Sequence, residues 1–223
     1  MSSERSDSRA VPRGIALSVD PTIDDDPSLA VGWTSAAIAV RSILQLSFPM
    51  FLRLQIAGHS PILIDFRHRA FTWGTPLFAF PSAPGFVTVE TEATTLDAPP
   101  LFTLPGKDVD GLLWMLGISA FDGQPATWLT PGDRYRLSRW PNIIELGITS
   151  EQVRMTALLG SGFFTARELA LTSGTDVASA TRLINAFTLM NIAYSSADAP
   201  ATMVQRPEAR VGLFRRLREK LGL

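Results

Sequence analysis

The sequence contains no cysteine and only two histidines, His59 and His68. Without cysteine the chain cannot form a disulfide, use a thiolate nucleophile or build a zinc site on sulfur ligands. Two histidines are too few for a histidine-rich metal site, so we expect no bound metal. The absence of cysteine also fits a reducing compartment, and we expect a cytoplasmic protein.

Long apolar runs and a strong net charge are also missing. No stretch of about 18 uninterrupted apolar residues occurs, so no membrane span is expected. The opening stretch, MSSERSDSRAVPRG, carries charges without an apolar segment behind it, which does not fit a secretory signal. A formal net charge of −1 provides no overall attraction to nucleic acid or membranes. The 223 residues, 46% of them apolar, suffice for one large or two small domains.

Catalytic and nucleotide-binding motifs are absent too. The sequence has no Walker motif, no G-x-G-x-x-G and no paired-carboxylate motif. Ser60, Asp65 and His68 are close in sequence, but no G-x-S-x-G accompanies them, and triads are recognised by geometry. The stretch LPGK at 104–107 lacks the first glycine and the Ser/Thr of a phosphate loop. We therefore expect no enzyme and no cofactor.

Composition divides the chain into four predicted parts. Residues 1–28 are rich in Ser, Asp, Arg and Pro, which predicts a disordered tail. Residues 29–125 are predicted to form an α+β domain, and residues 126–196 a winged-helix-like domain with its lead-in segment. Residues 197–223 combine a linker with a basic amphipathic helix. The predicted fold class is α+β, with a small antiparallel sheet and flanking helices followed by a winged-helix-like helical domain.

The N-terminal domain is predicted from apolar spacing and turn residues. A helix over 34–47 is capped by Thr34 and stopped by Pro49. The two-residue alternation of residues 51–56 is typical of a half-buried strand. Further strands are predicted at 62–66, 69–73 and 86–92. Asp108 caps a second helix that ends near Gly123.

Residues 162–194 contain the signals of two helices and a strand. Thr165 and Glu168 have the spacing of a capping box, which predicts a helix over 166–173, and Gly174 suits its left-handed end. Asp176 or Thr175 caps the next helix. Helical spacing predicts its buried face as Ala180, Leu183, Ile184, Phe187 and Met190.

A strand at 192–195 and an earlier helix complete the winged-helix pattern. The earlier helix starts at Thr149 or Ser150. Its inward residues are predicted to be Val153, Ala157 and Leu158.

DNA binding by this unit is disfavoured by its charge. The second helix offers only Arg182 and Asn185 for contacts with base edges. Across residues 148–193 three arginines are balanced by three carboxylates, which leaves almost no counterion-release contribution to affinity. A winged-helix transcriptional regulator remains the alternative function.

The stretch DRYRLSRWPN at 133–142 interleaves arginines with aromatic residues. Arg, Tyr and Trp are enriched at interface hot spots, so this surface is a candidate partner site. Its candidate contact residues are Arg134, Arg136, Arg139 and Trp140. The same residues could instead pin two domains of the chain together or stack single-stranded nucleic acid.

The segment 206–223 carries six basic residues against two acidic ones. Its apolar residues recur at helical spacing, which predicts a short basic amphipathic helix. An isolated helix of this length is marginal in water, so we expect it to dock in a groove of this chain or of a partner. Weak reversible membrane contact and a frayed tail are the other interpretations. Its candidate contact residues are Leu213, Phe214, Arg215, Arg216, Leu217 and Leu221.

Helix 34–47, the strands FLRLQIAGHSPILIDFRHRAFTW and the helix DVDGLLWMLGISAF together resemble the PATAN-type adaptor domains of bacteria. The resemblance covers residues 34–122 and consists of apolar spacing without a catalytic motif. It implies a signalling adaptor that contacts motility or type IV pilus machinery. We therefore expect a non-enzymatic bacterial adaptor or regulator that acts through protein–protein contacts. A small-molecule sensor built around Phe66, Phe71 and Trp73 is a third option, although these residues also suit a core.

Overall fold

A computed structural model describes residues 32–46 and 48–199 of the chain. The predicted disordered tail at 1–28 and the basic amphipathic helix, with its six candidate contact residues, lie outside the described residues. The described chain is α+β, which confirms the predicted class. A five-stranded antiparallel sheet with helices is followed by a mostly helical C-terminal region with a small two-stranded sheet.

The first half contains the larger sheet and two helices. Its elements are α1 (Thr34–Leu46), β1 (Met50–Ile56), β2 (Ile62–Asp65), β3 (Ala70–Thr72), β4 (Val87–Ala93), β5 (Lys107–Asp108) and α2 (Val109–Ser119). All neighbouring strands are antiparallel, in the order β4-β1-β2-β3-β5. Strand β4 pairs with β1 along its whole length, from Val87 opposite Ile56 to Ala93 opposite Met50.

The predicted alternation of β1 is confirmed. Leu52, Leu54 and Ile56 are buried, whereas Arg53 and Gln55 are exposed. Phe51, on the side expected to be open, is buried as well. The guanidinium of Arg67 covers its ring at 4.7 Å from the ring centroid.

The second half contains four helices and the smaller sheet. Its elements are β6 (Arg134–Leu137), α3 (Ile143–Leu146), α4 (Ser150–Ser161), α5 (Ala166–Ser173), α6 (Val177–Leu189) and β7 (Ala193–Ser196). The capping predictions for this half are confirmed, with complete capping boxes at Thr149 and Thr165 and a left-handed Gly174 at φ 70°. Asp176, rather than Thr175, caps α6 by accepting a hydrogen bond from the amide of Ser179. In the first half, the predicted cap of α1, Thr34, is instead the first residue of that helix, and its hydroxyl accepts from the amide of Phe121 at 3.4 Å.

The predicted inward face of α4 is wrong at Ala157, whereas Leu158 does pack against the core. Met155, Thr156 and Leu159 are buried, whereas Ala157 is exposed. Thr156 can be buried because its hydroxyl donates to the carbonyl of Gln152 at 2.6 Å, which satisfies the polar side chain within the helix.

Strand β6 joins the two ends of the C-terminal region. It pairs with β7, so that Leu137 lies opposite Ala193 and Arg134 opposite Ser196. Tyr135 of β6 also exchanges backbone hydrogen bonds with Phe164, just before α5. A strand that precedes the helices thus pairs with the strand that follows them.

Helices α2 and α6 connect the two halves through one continuous core. Gly117 of α2 lies against the backbone of Ala186, and the rings of Trp114 and Phe187 are 5.6 Å apart. The side chain of Arg41 in α1 adds a hydrogen bond of 2.9 Å to the carbonyl of Thr188. The predicted boundary near residue 125 therefore falls beside a closely packed helix pair.

Among the described residues, no helix combines the length and apolar character needed to cross a membrane.

Candidate functional site

Helix α6 is enclosed by the rest of the protein. Nine of its thirteen residues are buried, which is far more than a helix with one open face would bury. Asn185 is fully buried; its Oδ1 accepts from the amide of Ala126 at 3.0 Å, and its Nδ2 donates to the carbonyl of Gln124 at 2.9 Å. Arg182 lies 3.4 Å from the carboxylate of Asp122. Asn185, one of the two residues predicted to contact base edges, therefore uses its side-chain amide for hydrogen bonds inside the protein.

The loop held by Asn185 begins with a left-handed turn. Phe121, Asp122 and Gly123 are consecutive residues with φ angles of 62°, 43° and 78°. Two non-glycine residues in this region are energetically costly. The turn is stabilised by an edge-to-face contact of Phe121 with Trp128, whose indole N–H donates to the hydroxyl of Thr188 at 3.1 Å.

A pocket of about 570 Å³ lies between this loop, the start of β6 and the N-terminal ends of α5 and α6. We call it the apolar pocket, after the side chains that dominate its wall. These are Pro125, Leu129, Pro131, Ala166, Val177 and Ile184. The volume falls within the range of about 300–1,000 Å³ that is typical of ligand pockets. Because Val177 is half exposed and Pro131 is exposed, the pocket opens to solvent.

Apolar atoms dominate the surface of the apolar pocket, but residues with polar side chains also line it, among them Tyr135. The phenol of Tyr135 donates to the carbonyl of Thr130 at 3.4 Å. Burial, and secondly the charge of Asp133, raise the pKa of Tyr135 to about 12. Asp133 and Arg167 are the two charged residues of the lining. The wall therefore suits an apolar occupant with charges at its edge.

A carboxylate takes part in the capping hydrogen bonds of both helices that begin at the pocket. Glu168 accepts from the amide of Thr165 at 2.9 Å, and Asp176 accepts from the amide of Ser179 at 2.7 Å. Hydrogen bonds from Ser179 hold the pKa of Asp176 below its usual range. These carboxylates offset the positive ends of the helix dipoles.

Arg134 lies between Asp133 and Tyr135 of the pocket lining in the sequence and binds the first turn of α5. Its Nη2 and Nε donate to the two carboxylate oxygens of Glu168 at 2.8 and 3.2 Å. This hydrogen bonding holds the pKa of Glu168 below its usual range. The Nη1 of Arg134 donates to the carbonyl of Ala199 at 3.1 Å, which ties Ala199 to β6.

The side chains of the four predicted contact residues in 134–140 contact different parts of the protein. Arg136 lies over the ring of Phe163 at 5.8 Å, and Arg139 reaches Asp110 of α2 at 2.9 Å. Trp140 is 55% exposed, with its ring against Gly160. Arg134 and Arg139 are thus engaged within the chain, whereas Trp140 remains available at the surface.

Sequence reasoning missed the apolar pocket. Leu129 precedes a Pro-Gly-Asp turn, and Val177 is the first residue of α6. Leu129 belongs to no periodic apolar face, whereas Val177 continues the helical spacing of Ala180 and Ile184 and so resembles a buried position of α6. The cap residues Thr165 and Asp176, which were identified, were the one available signal for its location.

Of Ser60, Asp65 and His68, the fold keeps only Asp65 and His68 together, with Nε2 of His68 4.0 Å from Oδ2 of Asp65. Ser60 precedes β2 and Asp65 ends it, so the two side chains lie at opposite ends of the strand. Asp65 binds Arg67 through two side-chain hydrogen bonds of 2.7 and 3.0 Å. Within the described ranges, no group of three or more His, Asp or Glu is arranged to hold a metal ion.

No protein-family model matches the chain, and no curated protein and no solved structure does either.

Proposed function

We propose that this protein is a non-enzymatic adaptor that binds an amphipathic helix of a partner protein in the apolar pocket. The carrying observation is the open pocket of about 570 Å³, walled by Pro125, Leu129, Val177 and Ile184. Helix-in-groove recognition needs an apolar groove of this kind with charges at its rim. Asp133 and Arg167 of the lining supply such charges, and among the described residues neither is in an ion pair.

The order of α4, α5, α6 and β7 supports a winged-helix-like interpretation of the C-terminal region. We propose that this unit serves as a protein-docking scaffold. The burial of α6 against α2 leaves the N-terminal ends of α5 and α6, rather than the length of α6, facing the open pocket.

The alternative is a DNA-binding transcriptional regulator. A recognition helix has to enter the major groove and present side chains to base edges. Nine buried residues in α6, among them Asn185, weigh against that use. The adaptor is therefore the favoured proposal.

The pathway is a further part of the proposal. Helix α1, the meander β1–β3 and helix α2 follow the order implied by the resemblance to PATAN-type domains. This order supports a role in motility or type IV pilus signalling.

A matched pair of variants tests the proposed function. Val177→Glu places a charge at the half-exposed mouth of the pocket, at a helix start where an acidic residue is tolerated. Leu171→Glu makes the same change on α5 at a residue that is 84% exposed and outside the pocket. Partners would be captured from host lysate with the full-length chain, identified, purified and titrated by calorimetry.

We expect the partner to bind the unmodified chain and Leu171→Glu equally, and Val177→Glu about tenfold or more weakly, because a charge would face an apolar surface. If both variants bound the partner with equal affinity, the partner would not bind in the apolar pocket. If the chain captured no protein but bound duplex DNA with an affinity that falls as salt rises, the transcriptional-regulator function would be favoured.

A further inference from the structure

The described chain ends at a residue held by Arg134, which is next to the pocket lining in the sequence. Ala199 is the last described residue; it is 8% exposed, and its carbonyl accepts from Arg134. Arg134 follows Asp133 of the pocket lining and binds Glu168 in the first turn of α5. The described chain therefore ends beside residues that neighbour the pocket lining.

The length of the connecting chain suits a local destination. Residues 200–212 separate Ala199 from Leu213. They reach at most about 45 Å when fully extended. Such a tether holds the segment that follows it at an effective concentration on the order of millimolar.

The lining holds one acidic and one basic residue, Asp133 and Arg167, so complementarity to a basic segment is confined to the acidic side of the pocket. Residues 206–223 carry six basic and two acidic residues. Asp133 lies in the pocket lining and Asp176 directly precedes Val177 of that lining. An apolar stripe in the pocket would place arginines beside these carboxylates, which favours one orientation of docking.

We infer that the apolar stripe of residues 213–221 occupies the apolar pocket of its own chain and covers it until a partner helix displaces it. Leu213, Phe214, Leu217 and Leu221 supply the apolar contacts. The inference rests on the proposed function, because it names the first occupant of the same pocket. It adds a regulatory consequence: partner binding competes with the tethered segment.

The absence of cysteine permits a direct test with the full-length chain. One variant combines Ala166→Cys in the pocket wall with Leu217→Cys in the stripe. The control combines Leu217→Cys with Thr88→Cys, an exposed position on the edge strand β4 outside the pocket. Disulfide formation under mild oxidation is followed on non-reducing gels over a range of protein concentrations.

We expect the Ala166 pair to form an intramolecular disulfide at least tenfold faster than the control pair, at a rate independent of protein concentration. Equal rates in the two pairs would overturn the inference. Cross-linked dimers that form faster with rising concentration would also overturn it, since the stripe would then occupy a second copy.

A second measurement tests the competition. A fluorescent peptide of residues 206–223 is titrated with the full-length chain and with the variant Leu213→Asp/Leu217→Asp. We expect the peptide to bind the variant about tenfold or more tightly, because the tethered competitor is removed. Equal affinities, or no binding to either chain, would contradict the inference. The two proposals can fail separately. If the chain captures a partner but the two cysteine pairs cross-link at equal rates, only the inference about the C-terminal segment is refuted. If the Ala166 pair cross-links rapidly but no partner is captured, only the adaptor function is refuted.

Discussion

Gly117 of α2 lies directly against Ala186 of α6, so close that a Cβ at position 117 would overlap the backbone of Ala186. This contact joins the two halves of the protein and leaves no room for a side chain. The same approach buries α6 and removes it from solvent.

Gly117→Ala should destabilise the protein by about 1–3 kcal/mol, because overpacking at a helix crossing outweighs the gain in helix propensity. Gly111→Ala is the matched control on the same helix, where a Cβ would meet only the end of the Leu77 side chain. We expect that control to be neutral or stabilising by up to about 1 kcal/mol. Urea unfolding measures both, and equal effects would mean that the close crossing is not rigid.

Asn185→Ala should cost about 2 kcal/mol or more of unfolding free energy. It would leave the amide of Ala126 and the carbonyl of Gln124 without their partner, and an unmade buried hydrogen bond costs about 1–3 kcal/mol. Asn142→Ala, an exposed asparagine without a capping hydrogen bond, is the control. It should change stability by less than about 0.5 kcal/mol. Similar values for the two would contradict the role assigned to Asn185.

Thr165→Ala should lower stability by about 1 kcal/mol, since it removes the capping hydrogen bond to the amide of Glu168. Glu168→Gln keeps a side chain able to complete the capping box but loses the ion pair with Arg134. Comparing the two by thermal unfolding separates the cap from the ion pair. A Thr165→Ala protein as stable as the unmodified one would show that the capping box is not needed.

Stability should fall in acid, partly through Asp65. Burial by itself raises the pKa of this carboxyl, but the hydrogen bonds and charge of Arg67 together hold it below its usual range. A lowered folded-state pKa stabilises the protein above the unfolded value of about 3.9. That contribution is lost as the pH falls through the folded-state pKa.

Asp65→Asn should therefore reduce the unfolding free energy at neutral pH. Below about pH 4 the unfolding free energies of the variant and of the unmodified protein should become more similar. Urea midpoints at several pH values measure this difference. Asp97→Asn, at an exposed position, should match the unmodified protein at every pH. A constant gap between Asp65→Asn and the unmodified protein would contradict the assignment.

Local signals in the sequence predicted the helix ends well. Thr149 and Thr165 cap their helices, Gly174 adopts the left-handed conformation, and Asp176 caps α6. Each of these features depends on contacts between residues three or four positions apart. They can therefore be read without knowing where the helices pack.

Long-range contacts explain what the sequence did not predict. Thr181, Asn185 and Thr188 look like a polar helix face, yet all three are buried. The hydroxyls of Thr181 and Thr188 donate to carbonyls one turn earlier, while Asn185 bonds a loop about 60 residues away. A polar side chain with a buried partner cannot be distinguished by residue type from one that faces water.

The sequence by itself determined the α+β class, the helix caps and the alternation of β1, because these follow from neighbouring residues and from periodicity. Only the tertiary structure decided that α2 covers α6 through Gly117, that β6 pairs with β7, and that Leu129 and Val177 meet around one pocket. The partners in these contacts are about 40–70 residues apart in the chain. Their meeting depends on how complementary surfaces pack, which no local pattern encodes.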